Sequence, residues 1–287
     1  MHIRFLGTGA GDFLLTDDEA CSSENVLRIR KLGGRNLRYA SQALIEPDIL
    51  LDFYSDRQLR QLNIAACDIR HLLITHCHWD HFHPRHILEF ARGLAMPLEV
   101  YGNETAEAGI EFAASYEWDG KGRFCENTEE ANVRFHRLIP GQTVTIGDAK
   151  VTALLANHHI HFENRTIEER ALNYVIERDG RTLFYGLDTS YVLPGTLNRL
   201  QSFSLDLAVL DATFGYLRID PATSGHLNFP MVQETLEEFR VKNIIDDRTA
   251  VFGSHISLDR VPAHDDIVAE VEKMGFTLAW DGLRAEV

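Results

Sequence analysis

The stretch LLITHCHWDHFH, residues 72–83, constrains this chain more than any other. Its apolar opening reads as a strand over His71–Thr75. Four side chains with metal-binding chemistry, His76, His78, Asp80 and His81, follow within six positions. At the exit of a strand, residues i and i+2 point to the same side, so His76 and His78 can meet one ion. The turn before Pro84 can carry Asp80 and His81 to a second ion close by. Imidazoles mixed with a carboxylate suit zinc, manganese or iron. A fold that uses this motif must place it at the edge of a sheet and bring more ligands to it, because two ions need more than four.

Three candidates stand at the ends of later apolar runs. His158 follows VTALLAN, Asp188 follows TLFYG, and His255 follows AVFGS. The segment HHIH offers His159 and His161 as rivals to His158, which is expected to be the ligand as the first residue past the run.

Between these points the chain alternates strand-like and helical patterns. Strands are expected at the start (MHIRFL) and at Asn25–Ile29, Ser41–Ile45, Ile49–Asp52, His71–Thr75, Pro97–Tyr101 and Val133–Leu138. Later ones are expected at Val151–Asn157, Leu172–Ile176, Thr182–Gly186, Leu207–Leu210 and Ala250–Phe252. Helical patterns fall at Asp56–Leu62, Arg85–Leu94, Thr105–Tyr116, Thr196–Gln201, Met231–Arg240 and Asp265–Met274. Residues 117–132 read as a polar loop, open to a role as a lid. Sheets carrying helices in both halves imply an α/β fold, a four-layer αββα sandwich. No Pro/Gly/Ser linker divides residues 1–287, so one domain is expected. Gly7, Gly9 and Gly11 are spaced GxGxG, which is not the dinucleotide fingerprint; they predict a tight turn where backbone approaches closely.

The chain has 287 residues, 45% of them hydrophobic, enough for a large core without disulfide staples. Cys21, Cys67, Cys77 and Cys125 are scattered, with no CxxC pair, which favours a reducing cytoplasm over a cysteine-built zinc site. No leader pattern and no run of 18 apolar residues occurs, so neither a signal peptide nor a membrane span is expected. A net charge of −15 repels long nucleic acids and leaves a small anionic molecule as the expected substrate, since bound metal can dominate the field in a pocket. Oligomeric state stays open, a homodimer included. Arg28, Arg30 and Arg38 could form a phosphate clamp across two strands; an exposed basic face is the expected reading.

THCHWDH resembles the HxHxDH motif of the metallo-β-lactamase fold superfamily of metal-dependent hydrolases, and the later His, Asp and His follow in that superfamily's order. The resemblance runs from FLGTGAG to FGSHIS. It implies two divalent ions, zinc or manganese first, with iron also compatible. One ion would be held by His76, His78 and His158, the other by Asp80, His81 and His255, with Asp188 bridging both. It also implies hydrolysis by a hydroxide between the ions. LDATFGYLRIDPATSGHLNF, residues 210–229, loosely resembles the branch that includes tRNase Z and the phosphoribosyl cyclic phosphate phosphodiesterases. In that branch a carboxylate-supported histidine protonates the leaving oxygen; by position this is His226, oriented by Asp211, with Asp80 also placed to accept from the attacking water. The basic arm of tRNase Z and the cysteine cluster of the cyclic phosphate enzymes are both missing. The expected activity is therefore hydrolysis of a small phosphodiester or cyclic phosphate. A lactonase or thioesterase of the glyoxalase type and a non-catalytic metal sensor are the alternatives.

Overall fold

The structure is a computed structural model that describes residues 1–13, 23–118, 121, 123–127, 130–162 and 165–287. Strands of the first half are β1 (His2–Gly7), β2 (Gln42–Ile45), β3 (Ile49–Leu51), β4 (His71–Leu73), β5 (Leu98–Gly102), β6 (Tyr116–Trp118), β7 (Phe124–Glu126) and β8 (Val133–Arg137). Those of the second half are β9 (Thr143–Ile146), β10 (Ala149–Phe162), β11 (Arg165–Arg178), β12 (Arg181–Gly186), β13 (Leu207–Asp211), β14 (Ala250–Ser254), β15 (Thr277–Leu278) and β16 (Arg284–Glu286). Helices are α1 (Glu24–Leu32), α2 (Arg57–Gln61), α3 (Pro84–Arg92), α4 (Glu104–Ser115), α5 (Pro194–Leu200), α6 (Phe229–Val241) and α7 (His264–Lys273).

Two seven-stranded sheets form the centre, ordered β16-β1-β2-β3-β4-β5-β8 and β15-β14-β13-β12-β11-β10-β9. Side chains alternate across each strand, so every sheet feeds two cores. Ile45, Ile49, Leu51 and Leu73 point inward and meet Tyr174, Ile176, Leu183 and Val209 between the sheets. Leu44, Leu50 and Leu72 point outward and pack with Ile87, Phe90 and Ile110 of α3 and α4. On the far side, Phe184, Ala208 and Leu210 pack with Leu197, Leu236, Phe239 and Val271 of α5, α6 and α7. These three cores define the four-layer αββα sandwich. Burial on both faces explains why the parallel strands read as unbroken apolar runs rather than alternating ones.

Each sheet has a parallel part: β3-β4-β5-β8 in one, β12-β13-β14-β15 in the other. The carboxyl ends of these strands come to one edge, where ligand sites of α/β sheets form. The glycine turn reaches the same edge. A Cβ on Gly7 would lie 1.9 Å from the Ala40 carbonyl oxygen, and one on Gly9 would lie 2.9 Å from that of Tyr39. The close approach expected of GTGAG is therefore real, and it lets Gly9 bridge both Ala40 and Ile256.

The structure corrects several expectations. Asn25–Ile29 is helical, part of α1: Ser23 caps it, accepting from the Val26 N–H, and Val26 and Ile29 share its buried side. The period of three outweighs the apolar content that suggests a strand. Within the expected loop, Tyr116–Trp118 and Phe124–Glu126 pair as antiparallel strands, while residues 119, 120, 122, 128 and 129 lie outside the described residues. Arg38 is buried, donating to Thr8 Oγ1 and the Ala279 carbonyl at 2.6 Å each, and Arg28 on α1 pairs with Asp266 at 2.8 Å, so no basic face spans two strands. Cys21 lies outside the described residues, and Cys67, Cys77 and Cys125 carry no disulfide. Among the described residues no helix is long and apolar enough to cross a membrane.

Candidate metal centre

His76, His78, Asp80 and His81 leave the carboxyl end of β4; Asp188 follows β12, Asp211 ends β13 and His255 follows β14. All seven expected ligands converge. Asp188 sits at the middle, 2% exposed. Its Oδ1 lies 3.1 Å from both His81 Nε2 and His255 Nε2, and its Oδ2 lies 3.5 Å from His76 Nε2 and 3.6 Å from His158 Nε2. Asp80 Oδ2 is 3.3 Å from His255 Nε2 and 3.6 Å from His81 Nε2. His158 Nε2 is 3.1 Å from His78 Nδ1, and the Nε2 atoms of His81 and His255 are 3.0 Å apart.

The route of His158 differs from expectation. It does not follow a strand; β10 runs on to Phe162. The β10-β11 register shifts between Leu155↔Leu172 and His159↔Arg170, leaving extra residues on β10. Such a bulge re-aims a side chain, and this one accompanies the turn of His158 toward His78 and Asp188.

The unused ring nitrogens determine the tautomers. Gly225 O can only accept, so His158 donates to it from Nδ1 at 2.9 Å. Thr75 Oγ1 gives its proton to Asp52 at 2.9 Å and so accepts from His76 Nδ1 at 3.0 Å. His81 Nδ1 donates to Asp52 Oδ2 at 2.8 Å. The second half repeats the device: Thr213 Oγ1 gives its proton to Asp211 at 2.9 Å and accepts from His255 Nδ1 at 2.8 Å. Four imidazoles thus turn Nε2 inward, each held from behind as metal-binding histidines usually are. Asp52, Asp188 and His255 all hold left-handed backbone, with φ of 59°, 46° and 62°. Strain in non-glycine residues clusters at functional sites.

Electrostatics follow the same plan. Burial, then the charge of His81, holds His76 well below the usual imidazole range, and burial holds His158 down to about 4. Burial also opposes a charge on His81, but Asp188, Asp80 and Asp52 together outweigh it and raise it well above. Against burial, His255 and His81 hold Asp188 well below the carboxylate range. Burial raises the Asp52 carboxyl, opposed first by His81.

The donor set fits divalent cations. His76 Nε2 and Asp188 Oδ1 are buried without a hydrogen-bond partner, although Asp188 Oδ1 lies within 3.1 Å of two imidazoles. Contact distance without hydrogen-bond alignment is what ligands facing a common ion show. Atoms bound tetrahedrally to zinc lie about 3.3 Å from one another, and the distances here run from 3.0 to 3.6 Å. Three groups could each hold an ion: His76, His78, His158 and Asp188; Asp80, His81 and His255, with Asp188 at their edge; and Asp188, Asp211, His226 and His255. In the third, Asp211 and His226 already pair with each other at 2.8 Å, so the first two are taken as the ligand groups.

His226 stands beside these groups. Its Nδ1 is 2.8 Å from Asp211 Oδ2, its ring stacks on that of His255 with centroids 5.3 Å apart, and it lines the same cavity of about 450 Å³ as His78, Asp80, Asp188 and His255. Burial would lower its pKa, but Asp211 overrides that and lifts it to about 9. His83 and His86 stack on each other, 3.6 Å between centroids, and belong to neither ligand group; His159 too is outside both. Sequence reasoning did not single out Asp52, Thr75, Thr213 or the Gly225 carbonyl. Asp52 had a signal, an acidic residue ending an apolar strand as Asp211 does; a threonine beside a ligand carries none.

Fold and donor set together define the class: a metallo-β-lactamase-fold hydrolase. The chain belongs to the beta-lactamase superfamily, since residues 48–252 match the family described as Beta-lactamase superfamily domain. It is 26% identical, over 195 residues (62% of this chain and 76% of the other), to a UPF0173 metal-dependent hydrolase of Ruegeria sp. (strain TM1040). Its fold is similar to zinc-bound PqqB from Methylobacterium extorquens, with a TM-score of 0.70, 16% identity and 100% of both chains covered. Human tRNase Z, short form, aligns with a TM-score of 0.66 and 18% identity, covering 100% of this chain and 99% of that one.

Proposed function

We propose that the protein is a dinuclear metal-dependent phosphodiesterase for a small phosphodiester or cyclic phosphate. The observation that carries this reading is the His226–Asp211 pair, 2.8 Å from Nδ1 to Oδ2, on the wall of the cavity that the ligand groups share. An alkoxide leaving group needs a proton, and an imidazole held and charged by a buried carboxylate can supply it. His76, His78 and His158 would hold one cation, Asp80, His81 and His255 a second, and Asp188 would span both. When bound, the cations supply a Lewis acid and a hydroxide near neutral pH, as zinc, manganese or iron can. Asp80 would accept a hydrogen bond from the attacking water through the oxygen not used as a ligand. His226 Nε2, on the side of the ring away from Asp211, donates to the departing oxygen.

A net charge of −15 disfavours long nucleic acids, so the substrate is small, and the reading places the protein in the cytoplasm. The likeness to tRNase Z, whose name marks it as a nuclease, is compatible with phosphodiester chemistry. The test uses bis-p-nitrophenyl phosphate, a lactone and a thioester on protein loaded separately with zinc and manganese. We expect turnover of the phosphodiester to exceed that of the other two and to vanish on chelation. Hydrolysis of the lactone or thioester alone, with the diester untouched, would contradict the reading.

A further inference from the structure

The cavity at the metal centre is rich in carboxylates, and each is already engaged. Asp80 and Asp188 face the imidazoles. Asp12 accepts from Ser257 Oγ at 2.6 Å and from the N–H groups of Leu258 and Asp259 at 3.0 Å each. Asp259 accepts from Ser23 Oγ at 2.6 Å. Apart from the histidines, the remaining charged side chain of the cavity wall is Arg260, its one lysine or arginine. Among the described residues Arg260 forms no ion pair; its guanidinium rests over the Phe214 ring, 5.5 Å from the centroid, and the residue is exposed. Its backbone is well anchored. Asp12 holds residues 257–259, and the Val261 N–H donates to the Ser257 carbonyl at 3.1 Å. The turn after His255 therefore presents, at a fixed place beside the centre, a cation without an ion pair among the described residues.

An arginine on the wall of a binding cavity whose lining carboxylates are engaged elsewhere is a counter-charge open to an anion. Metal ions would take the phosphoryl end of a substrate, so the group that reaches Arg260 lies elsewhere on the same molecule. We propose that Arg260 binds a second anionic group of the substrate, a carboxylate or phosphate, and selects phosphodiesters that carry one. A guanidinium presents a planar fork of N–H donors that matches either group. This inference rests on the phosphodiesterase reading for the orientation of the substrate.

Three probes separate the possibilities: phenylphosphonate, 4-carboxyphenylphosphonate and 1,4-phenylenediphosphonate. Their Kd values are measured by calorimetry on zinc-loaded protein, for the native chain, Arg260→Ala and Arg260→Lys. In the native protein a second anionic group should tighten binding about ten-fold, a modest gain because the side chain is exposed. Arg260→Ala should erase that gain while leaving phenylphosphonate within about two-fold, and Arg260→Lys should keep part of it. Comparison of the two doubly charged probes shows which group the site takes. Equal binding of all three probes by the native chain, a uniform weakening of all three in Arg260→Ala, or no binding at all would overturn the proposal. Failure of the phosphodiesterase reading appears separately, as absent turnover of bis-p-nitrophenyl phosphate.

Discussion

Asp188→Ala should reduce bound metal below two ions per chain and lower turnover about a thousand-fold or more, several kcal/mol of lost transition-state stabilisation. Among the described residues Asp188 is the one carboxylate that meets His76, His81, His158 and His255 together, at 3.1 to 3.6 Å. Without it, four buried imidazoles face one another with no central anion. Each ligand group then loses an oxygen donor, and the positive charge of two cations has less to offset it. Asp188 is also buried and holds left-handed backbone at φ 46°. Alanine tolerates that conformation poorly, so unfolding should be followed alongside metal content. Asp188→Asn keeps the side chain's size and its tolerance for left-handed backbone while removing the charge. If Asp188→Asn kept both ions and full turnover, the carboxylate would have no place in the centre.

His226→Ala should act differently. It should lower kcat by about 10² to 10⁴, the usual range for removal of a general acid, with metal content unchanged. His226 is not among the seven expected ligands, so its loss need not disturb them. Asp211 is a less clean target, because through Thr213 it also supports His255. The pH profile adds a second readout. His226 must be protonated to act, so kcat should fall as pH rises through its pKa, which Asp211 lifts to about 9 against the pull of burial. Bound cations will lower that value, and Asp211→Asn should move the alkaline limb lower still. If the leaving group needed no proton from this chain, as in a lactonase or thioesterase, His226→Ala would barely change turnover.

Much of this centre could be read from the letters because strand ends are legible. HCHWDH follows an apolar run, and so do Asp188 and His255, and at each point the periodicity of a buried strand breaks into a polar residue. His158 comes to the cluster from within β10 and not from a strand end. The alternation in VTALLAN gives no hint that β10 continues for several residues more, because a bulge keeps hydrogen bonding while abandoning period two. NVLRI reads as a strand because it is apolar and short; only the cap at Ser23 and the Val26–Ile29 spacing mark helix α1. Arg38 was expected at the surface, but Thr8 and the Ala279 carbonyl, far away in sequence, draw it inside. The Asp–Thr–His relays were invisible for a related reason. Asp52 lies 23 positions from Thr75 in one relay, and in the other His255 lies 42 positions from Thr213. No local pattern encodes a partner brought in by sheet order.

The parallel between the two relays is the strongest sign that the halves were built for one centre. Asp52 holds His81 directly and His76 through Thr75, while Asp211 holds His226 directly and His255 through Thr213. In the first relay both imidazoles face the ligand groups. In the second, one does, and under the proposed function the other would carry the proton. Hydrolysis of an ester with a poor leaving group needs that division of labour.

The most direct test of the account is an ion count with positions: anomalous diffraction from crystals of the zinc-loaded protein. Two peaks are predicted, one among His76, His78 and His158, the other among Asp80, His81 and His255, with Asp188 touching both. No peak at either place, or one ion bound through His226 while Asp188 stays apart from it, would contradict the account.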